Sequence, residues 1–560
     1  MTRTAISTPG AAPDAATETR AAVPPSRRWV ERVLIALVMV PFTVSAVALL
    51  GSAGSEYHPF QDPAIIEWRT RDLFEHLPLL GPYSRFDWFH PGPALFYVLA
   101  LPYHLAGATS GALAFSALVV NAAATLGILL IARRRGGLPL LVATTLVVTI
   151  LLRALGPQFV REAWNPNVTV LPFLLLAFLA WSAACGERWA VPVGAVVATF
   201  LVQTHVGYAL PVLVLAVGAL AGLWWTRRRV PRDRRGGLTG TAVVTVALLA
   251  LMWLPAVVQQ LDDDPGNLGT LIRFFRDHGR EQSYGDAWHV VATQLGGWPD
   301  WVRGSTDLNV IGALDFGAGT PFPVALVLLV GAAVLARRTR QAEALMLDAF
   351  AGVLVVASFV AATRIVDDVF PYLVKWTWAV GALVSIAIAW SVVAALRARD
   401  KALDRRIGAL ALGAGIGLAA VMCVITTVDA VDAGTPEADS SPRIARFTDA
   451  VERELRDTPG DGVVVIQAME SPEALFGGAG SVWTGAGIAN LLDLHGVEVR
   501  VAPELEFAYG PGAVVSGDEA VRLVVMPVDE PELPLVDRTV WKEIGSAGHT
   551  HLFVRRTTAG

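Results

Sequence analysis

The chain has 560 residues, of which 54% are hydrophobic and 17% charged, and its formal net charge is −5. Its mean hydropathy is +0.52. Because a soluble domain carries about 25% charged residues, this balance excludes an ordinary soluble enzyme and indicates a polytopic membrane protein. The two cysteines, Cys185 and Cys423, lie in or beside apolar segments, which excludes a disulfide framework and a cysteine-based metal site.

The N-terminal segment, residues 1–26, is rich in Ala, Thr and Pro and is expected to be disordered. Three arginines, the first of them Arg27, then precede an apolar run that is too long for a secretory signal, so we interpret the run as a retained anchor. Cleavage near the small residues after Leu50 is the alternative. The predicted organisation is a disordered cytoplasmic tail at 1–28, a transmembrane domain at 29–429 and an extracytoplasmic domain at 430–560.

Long apolar runs dominate the first three quarters of the chain. A helix needs about 20 apolar residues to cross a bilayer, and by that measure the chain is expected to have about eleven transmembrane helices. The predicted spans are 33–51, 110–132, 138–155, 167–184, 189–204, 206–226, 238–258, 321–336, 344–363, 373–396 and 407–428.

The sidedness of these spans follows from the positions of the basic clusters. Cytoplasmic loops carry an excess of Lys and Arg, and the clusters are at 133–135, 188, 227–235, 337–340 and 397–406. With a cytoplasmic N-terminus, all five face the cytoplasm only if the apolar run 93–108 does not cross the membrane. We therefore predict that 93–108 is an interfacial or re-entrant helix that closes an outer loop at 52–109.

The tail from about residue 430 is polar and is predicted to be a small extracytoplasmic α/β domain. Candidate strands at 462–467, 497–502, 521–527 and 550–555 alternate with helical patterns at 443–457 and 485–495. The fold class is therefore an α-helical polytopic membrane protein with a C-terminal α/β domain.

The outer loop contains a candidate helix that starts at Asp62. Pro63 follows, and apolar residues recur at helical spacing, so Asp62 is interpreted as an N-cap with proline in the first turn; capping does not exclude a catalytic role. With the apolar face of this helix on the bilayer, its charged residues are expected to face water or a cavity. They are Glu67, Arg69, Arg71, Asp72 and Glu75.

Three further outward segments carry polar residues. Residues 161–167 (REAWNPN) include Arg161, Glu162 and Asn165, and an acid beside a base at membrane depth marks a functional pocket or a structural ion pair. The other polar residues are Gln203, His205 and Tyr208 at a helix junction, and Tyr372 and Lys375 near the start of a late span. Two roles are open for Lys375: its side chain snorkels to the interface, or it contacts a lipid phosphate.

These carboxylates, cations and aromatic side chains indicate a site for an amphiphilic anion at the outer leaflet. The sequence has no P-loop, GxSxG or HExxH motif. Arg and Lys bind a phosphate head group well, and a carboxylate near it could take a proton from an acceptor hydroxyl. A lipid-linked phosphate or diphosphate fits these requirements.

A first span, an outer loop with Asp62 near its start and His-Pro-x-Pro at 90–93, and an interfacial helix resemble the GT-C glycosyltransferases over roughly residues 30–260. The resemblance is closest to the branch with protein O-mannosyltransferases and lipid A aminoarabinose transferases. It implies that Asp62 is the catalytic base. It also implies that Glu162 is a second acid that orients the acceptor or binds a metal.

The predicted function is transfer of a sugar from a polyprenyl-phosphate donor to a hydroxyl of an envelope glycan or protein at the outer face of the cell membrane. Membrane lipids are expected partners and nucleic acid is not; no cofactor is assigned, and a divalent metal is left open. A lipid transporter or flippase and a non-catalytic envelope scaffold are the alternatives. The predicted substrate-binding residues are Glu67, Arg69, His90, Arg161, Asn165, Gln203, His205, Tyr208, Tyr372 and Lys375.

Overall fold

A computed structural model describes most of the chain. It covers residues 25–86, 88–231, 236–304, 313–317, 319–399, 403–457, 460–469 and 480–556. Residues 1–24 of the predicted disordered tail lie outside the described residues. Residues 25–28, which were also assigned to that tail, form the start of the first helix instead.

The N-terminal three quarters of the described chain are helical. Its helices are α1 (Pro25–Leu49), α2 (Ser52–Ser55), α3 (Asp62–Arg71), α4 (Ala94–Leu105), α5 (Ser110–Leu155), α6 (Pro157–Arg161), α7 (Asn165–Val168), α8 (Val170–Ala184), α9 (Ala190–Thr204), α10 (Ala209–Arg228), α11 (Thr239–Asp262), α12 (Asn267–Asp277), α13 (Tyr284–Thr293), α14 (Asp300–Arg303), α15 (Val324–Arg338), α16 (Ala342–Ala362), α17 (Pro371–Val374), α18 (Thr377–Arg399) and α19 (Leu403–Asp432).

Each predicted span coincides with one of these helices. Within the described residues, eight helical segments are long and apolar enough to cross a bilayer, so the protein is a multi-pass membrane protein. One of the eight, α5, has 46 residues and bends at Gly137, where φ is 63°, a backbone conformation that favours glycine. The two sides of this bend hold the predicted spans 110–132 and 138–155. Helices α9 and α15 have 15 residues each, and the number of bilayer crossings remains a prediction.

Helix α4 is the apolar run whose crossing decides the sidedness. It has 12 residues and is therefore about 18 Å long, well short of a hydrocarbon core of about 30 Å. Its apolar residues Leu95, Phe96 and Leu99 are buried in the main core of the helical domain. The length agrees with a helix that does not cross the membrane, and its depth in the membrane remains a prediction.

The C-terminal domain contains a five-stranded mixed sheet in the order β2-β1-β3-β5-β4. Strands β1 and β3 are parallel, and β5 is antiparallel to both β3 and β4. The strands are β1 (Val463–Ile466), β2 (Val499–Val501), β3 (Val521–Asp529), β4 (Lys542–Ala547) and β5 (Thr550–Arg556), and three helices accompany them, α20 (Ser441–Arg456), α21 (Gly480–Leu494) and α22 (Glu506–Tyr509).

The four predicted strands and both predicted helices of this domain are confirmed. Strand β4 was missed because its sequence, KEIGSA, has few of the β-branched and aromatic residues that signal a strand.

Helix α3 lies between the membrane domain and the C-terminal domain. Its residues Ala64, Ile65 and Trp68 pack in the core of the C-terminal domain, whereas Ile66 packs in the core of the membrane domain. The loop at 52–109 and the C-terminal domain are therefore in direct contact, which agrees with the prediction that they share one side of the membrane. The prediction that the apolar face of α3 rests on the bilayer is wrong, because Ala64, Ile65 and Trp68 pack in the core of the C-terminal domain. Of the charged residues predicted on this helix, Arg69 lines a cavity and Glu75 is exposed, as the prediction of charges facing water or a cavity allows.

Candidate active site

Asp62 is held by two side chains from different parts of the chain. One carboxylate oxygen accepts a hydrogen bond from the Tyr83 hydroxyl, and the other accepts one from the indole nitrogen of Trp164. The predicted N-cap role of Asp62 is wrong, because Gln61 occupies the cap position and no side chain caps the helix. The carboxylate is instead directed away from the start of α3.

The backbone just before Asp62 is strained. Gln61 has φ 58° and ψ −141°, in a region where a side chain costs about 1–3 kcal/mol and where the surrounding structure must hold the conformation. Such strain is found preferentially at functional sites.

Burial raises the pKa of Asp62, and the two hydrogen bonds oppose part of that rise because they stabilise the ionised form. A carboxylate with a raised pKa is a stronger base than one in water. The environment of Asp62 therefore suits proton abstraction.

Glu162 lies close to Asp62, in the segment between α6 and α7. Its Oε2 accepts a hydrogen bond of 2.6 Å from the side-chain amide of Asn167. Burial, together with the negative charge of Asp62, raises the pKa of Glu162 to about 7. This group can exchange a proton at neutral pH.

A third acid, Glu437, was not predicted from the sequence. It follows α19 and accepts a hydrogen bond of 2.8 Å from the backbone N–H of Phe60. Burial and the charge of Glu162 raise its pKa well above the usual range. Nothing in the polar sequence around residue 437 marks this acid, because its place in the site depends on contacts with the distant outer loop.

A small cavity opens beside Asp62. It brings together three predicted site residues, Asp62, Arg69 and Asn165, and it includes one residue of the C-terminal domain, Ala508. The remaining lining residues are Ile65, Ile66, Pro82, Tyr83 and Phe96.

Arg69 contributes a fixed positive charge to this cavity. Its guanidinium donates to the backbone carbonyls of Gly81 (2.7 Å) and Leu80 (2.9 Å) and lies 4.4 Å from the ring centroid of Phe96. Burial lowers its pKa to about 10, so the group stays protonated at neutral pH. Arg69 thus also holds the chain at 80–81 in place.

A second cation near the site, Arg85, was not singled out in the sequence. Its guanidinium lies between the rings of Phe86 and Phe370, 4.8 Å from each centroid, and donates to the carbonyl of Val366 at 3.0 Å. The Phe370 ring stacks on that of Tyr372. Among the described residues, Arg85 donates through one guanidinium nitrogen, to Val366.

Tyr372 lies beside Trp164, and Lys375 is buried in the helical domain. The Tyr372 ring lies 4.9 Å from that of Trp164, which holds Asp62. Lys375 is only 5% exposed, and its Nζ lies 4.0 Å from the ring centroid of Trp378. Because the ammonium is buried inside the protein, the alternative in which it snorkels to the interface is contradicted.

Two predicted substrate-binding residues, Glu67 and Arg161, do not line the cavity. Arg161 is 1% exposed and donates to the Ser45 hydroxyl and to the carbonyls of Ala430 and Gly434. It therefore ties α6 to α1 and to the end of α19. This prediction is corrected, since a pair of adjacent opposite charges in sequence does not reveal where each side chain points.

Glu67 is fully buried between α3, α4, α5 and α21. Its carboxylate accepts hydrogen bonds from Tyr103 (3.0 Å), Ser110 (2.8 Å) and Asn490 (2.7 Å). These three donors belong to α4, α5 and α21. The structure therefore gives Glu67 a role in joining the two domains instead of the predicted contact with substrate.

The predicted residues His90, Gln203, His205 and Tyr208 form a separate group at the junction of α9 and α10. The rings of the two histidines are 4.8 Å apart, and the Nδ1 atoms accept hydrogen bonds from the backbone N–H groups of residues 206 and 207, which places each ring proton on Nε2. Burial, then the neighbouring His205, lowers the pKa of His90 well below its usual value. None of the four residues lines the Asp62 cavity.

The chain approaches itself closely at this junction. A Cβ at Gly92, in the His-Pro-x-Pro segment, would lie 2.6 Å from Oε1 of Gln203. A side chain at residue 92 would therefore displace Gln203, which also donates to the carbonyl of Met252.

The described residues offer one compact set of metal ligands. It consists of Asp72, Glu75 and His76 on the surface. Asp62, Glu162 and Glu437 do not form such a set, and exposed acids alone do not make a metal site. We therefore assign no ligands to the divalent metal that the sequence analysis left open.

Comparison with solved structures identifies the architecture. The ArnT structure from Cupriavidus metallidurans bound to undecaprenyl phosphate matches with a TM-score of 0.55 at 13% identity, over 94% of this chain and 98% of that chain. The apo structure of the same protein gives a TM-score of 0.55 at 15% identity, with the same coverage. The chain has a GT-C-like fold.

The predicted GT-C resemblance is thus confirmed at the level of the fold. An archaeal oligosaccharyltransferase, AglB from Archaeoglobus fulgidus, covers 91% of this chain and 70% of its own at 15% identity, with a TM-score of 0.43 that is too low to support an argument. No family model and no curated protein sequence matches the chain.

Proposed function

We propose that this chain is a glycosyltransferase that moves a sugar from a polyprenyl-phosphate donor to an acceptor hydroxyl at the outer face of the membrane. The observation that carries the proposal is the Asp62 carboxylate, held by Tyr83 and Trp164 at the edge of a cavity. The GT-C-like fold supports it, since ArnT, which shares that fold, has been seen with undecaprenyl phosphate bound.

In the proposed reaction Asp62 removes the proton from the acceptor hydroxyl as that oxygen attacks the anomeric carbon of the sugar. The bond between this carbon and the donor phosphate oxygen breaks, and the phosphate leaves with the electron pair on its lipid. General base catalysis of this kind contributes about 10²–10⁴-fold to the rate. Glu162, the second acid beside Asp62, orients the acceptor.

Tyr83 and Trp164 hold the base in position. Because each donates to one oxygen of Asp62, the carboxylate is fixed in rotation and a remaining lone pair can face the acceptor. A base held in this way loses less conformational entropy on reaching the transition state than a mobile base does.

We assign the donor phosphate to two cations, Arg69 in the cavity wall and, above all, Arg85 beside the Phe370–Tyr372 pair. Arg69 already donates to two backbone carbonyls, whereas Arg85 uses one guanidinium nitrogen for Val366. Guanidinium is well suited to a phosphate because it forms paired, charge-assisted hydrogen bonds.

The change Arg85→Ala is expected to raise the KM for the lipid donor by at least about tenfold, since a hydrogen bond to a charged group contributes about 1.5–3 kcal/mol. Steady-state kinetics with varied donor concentration measure the effect. Arg276→Ala is the control, because Arg276 is an exposed arginine of α12. An unchanged KM for the Arg85 variant would contradict the assignment.

The rate should also depend on pH in a defined direction. A general base works in its ionised form, and burial raises the pKa of Asp62, so kcat should fall as the pH falls through this raised pKa. We expect the midpoint of the kcat profile to lie above about 4, the value of an ordinary aspartate. A rate that is flat from neutral pH down to that value would contradict base catalysis by Asp62.

The proposed function is tested directly with the purified protein in lipid nanodiscs. A radiolabelled polyprenyl-phosphate sugar is supplied together with cell-envelope material as acceptor, and label in the acceptor and free polyprenyl phosphate are both measured. Coupled appearance of the two products supports glycosyl transfer. An intact donor that only moves between leaflets, in a parallel liposome assay, would instead favour the transporter alternative.

A further inference from the structure

The segment His58–Phe60, which runs directly into the strained turn before Asp62, is held by the start of the C-terminal domain. Glu437 accepts a hydrogen bond from the N–H of Phe60 at 2.8 Å. The Ser441 hydroxyl accepts one from the N–H of His58 at 3.0 Å and donates to the carbonyl of the same residue at 3.2 Å. Two residues, four positions apart, thus bind the backbone at both ends of this three-residue segment.

Two further contacts show how closely the C-terminal domain packs against residues 58–60. A Cβ at Gly487 on α21 would lie 3.0 Å from the carbonyl oxygen of Pro59, so the helix approaches the backbone where a larger residue would push it away. The guanidinium of Arg443 lies 5.0 Å from the ring centroid of Phe60. The segment is therefore enclosed by α20, α21 and the residues just before α20.

The backbone conformation makes this support necessary. Gln61 and Glu437 both have positive φ, 58° and 48°, although neither is a glycine, and such residues keep this conformation only when their surroundings impose it. Tyr83 and Trp164 bind the carboxylate of Asp62. These two hydrogen bonds hold the carboxylate. The backbone at 58–61, which sets the direction of the Asp62 side chain, is held by other residues.

We propose that Glu437 and Ser441 are positioning residues through which the C-terminal domain holds residues 58–60 and so directs Asp62 into the cavity. The effect on transfer rests on the proposed function. The effect on the backbone does not, so the two can be measured separately.

The first experiment measures amide hydrogen exchange by mass spectrometry on the full chain in nanodiscs. In Glu437→Ala the Phe60 amide loses its acceptor, and peptides containing residues 57–61 are expected to exchange at least about tenfold faster. In Glu437→Gln the side-chain carbonyl can still accept the bond, and exchange should stay close to that of the wild type. Asp439→Ala is the control, because Asp439 is an exposed acid two residues away.

Two outcomes of this experiment overturn the proposal. Exchange in peptides 57–61 of Glu437→Ala that equals the wild-type rate would show that the hydrogen bond does not hold the segment. Acceleration of equal size throughout the C-terminal domain would show general unfolding. Ser441→Ala provides the second variant, with accelerated exchange expected at His58.

The second experiment compares kcat and KM in the transfer assay. We expect Glu437→Ala to lower kcat at least about tenfold with little change in the KM for the donor, and Glu437→Gln to restore most of kcat. Faster exchange at 57–61 without any loss of kcat would overturn the link to Asp62. If the wild type transfers no sugar, the proposed function fails, and the exchange measurement still decides whether the C-terminal domain holds this segment.

Discussion

Asp62→Asn is expected to lower kcat for sugar transfer by about 10²–10⁴-fold, the usual contribution of a general base. Asparagine has nearly the shape of aspartate but cannot take the acceptor proton. Its side-chain carbonyl can still accept one of the two hydrogen bonds from Tyr83 and Trp164, so the fold should be retained. The measurement is single-turnover transfer with saturating lipid donor.

Glu75→Gln is the matched control for this variant. Glu75 belongs to the same outer loop, is exposed and does not line the cavity. Its kcat should equal that of the wild type. If Asp62→Asn keeps more than about a tenth of the wild-type kcat, Asp62 is not the base, and Glu162 becomes the next acid to examine by the same substitution.

The largest expected effect on stability is that of Glu67→Ala. The change removes the acceptor of three buried hydrogen bonds and a neighbour of Arg71 at 3.7 Å. Each buried donor left without a partner costs about 1–3 kcal/mol, whereas Arg71 keeps its salt bridge to Asp493. We expect a clear fall in Tm, measured by thermal unfolding in detergent micelles.

Limited proteolysis shows where Glu67→Ala acts. Because Ser110 of α5 and Asn490 of α21 both donate to Glu67, the variant should release the C-terminal domain from the membrane domain at lower protease concentration than the wild type. Glu75→Ala, on the exposed part of the same loop, should have wild-type Tm and cleavage. A Glu67→Ala protein as stable as this control would contradict the structural role of the buried carboxylate.

Most of the helical architecture could be predicted from the sequence because apolar length is a strong signal. Each predicted span falls in a helical segment, with two of them in α5, and four of the five strands of the C-terminal domain followed from their β-branched runs. Asp62 and Asn165, which were both assigned to one site from the sequence, line the same cavity, and their role there remains a prediction. Contacts that depend on the packing of distant segments could not be predicted in this way.

Glu437 and Arg85 illustrate this limit. Glu437 meets Phe60 across 377 positions, and Arg85 meets Val366 across 281, and no local pattern encodes such pairings. The same limit explains the errors at Glu67 and Arg161. Charge on an outward segment indicates that a partner is needed, but it does not show whether that partner is a substrate or another part of the protein.

The placement of α3 between the two domains has a consequence for biogenesis. Its Glu67 pairs with Asn490, 423 positions later, so a ribosome completes almost the whole polypeptide before this contact can form. Until then Ala64, Ile65 and Trp68 of α3 lack their packing against α21 and the sheet. The loop that carries Asp62 therefore acquires its full set of contacts only when translation is almost complete.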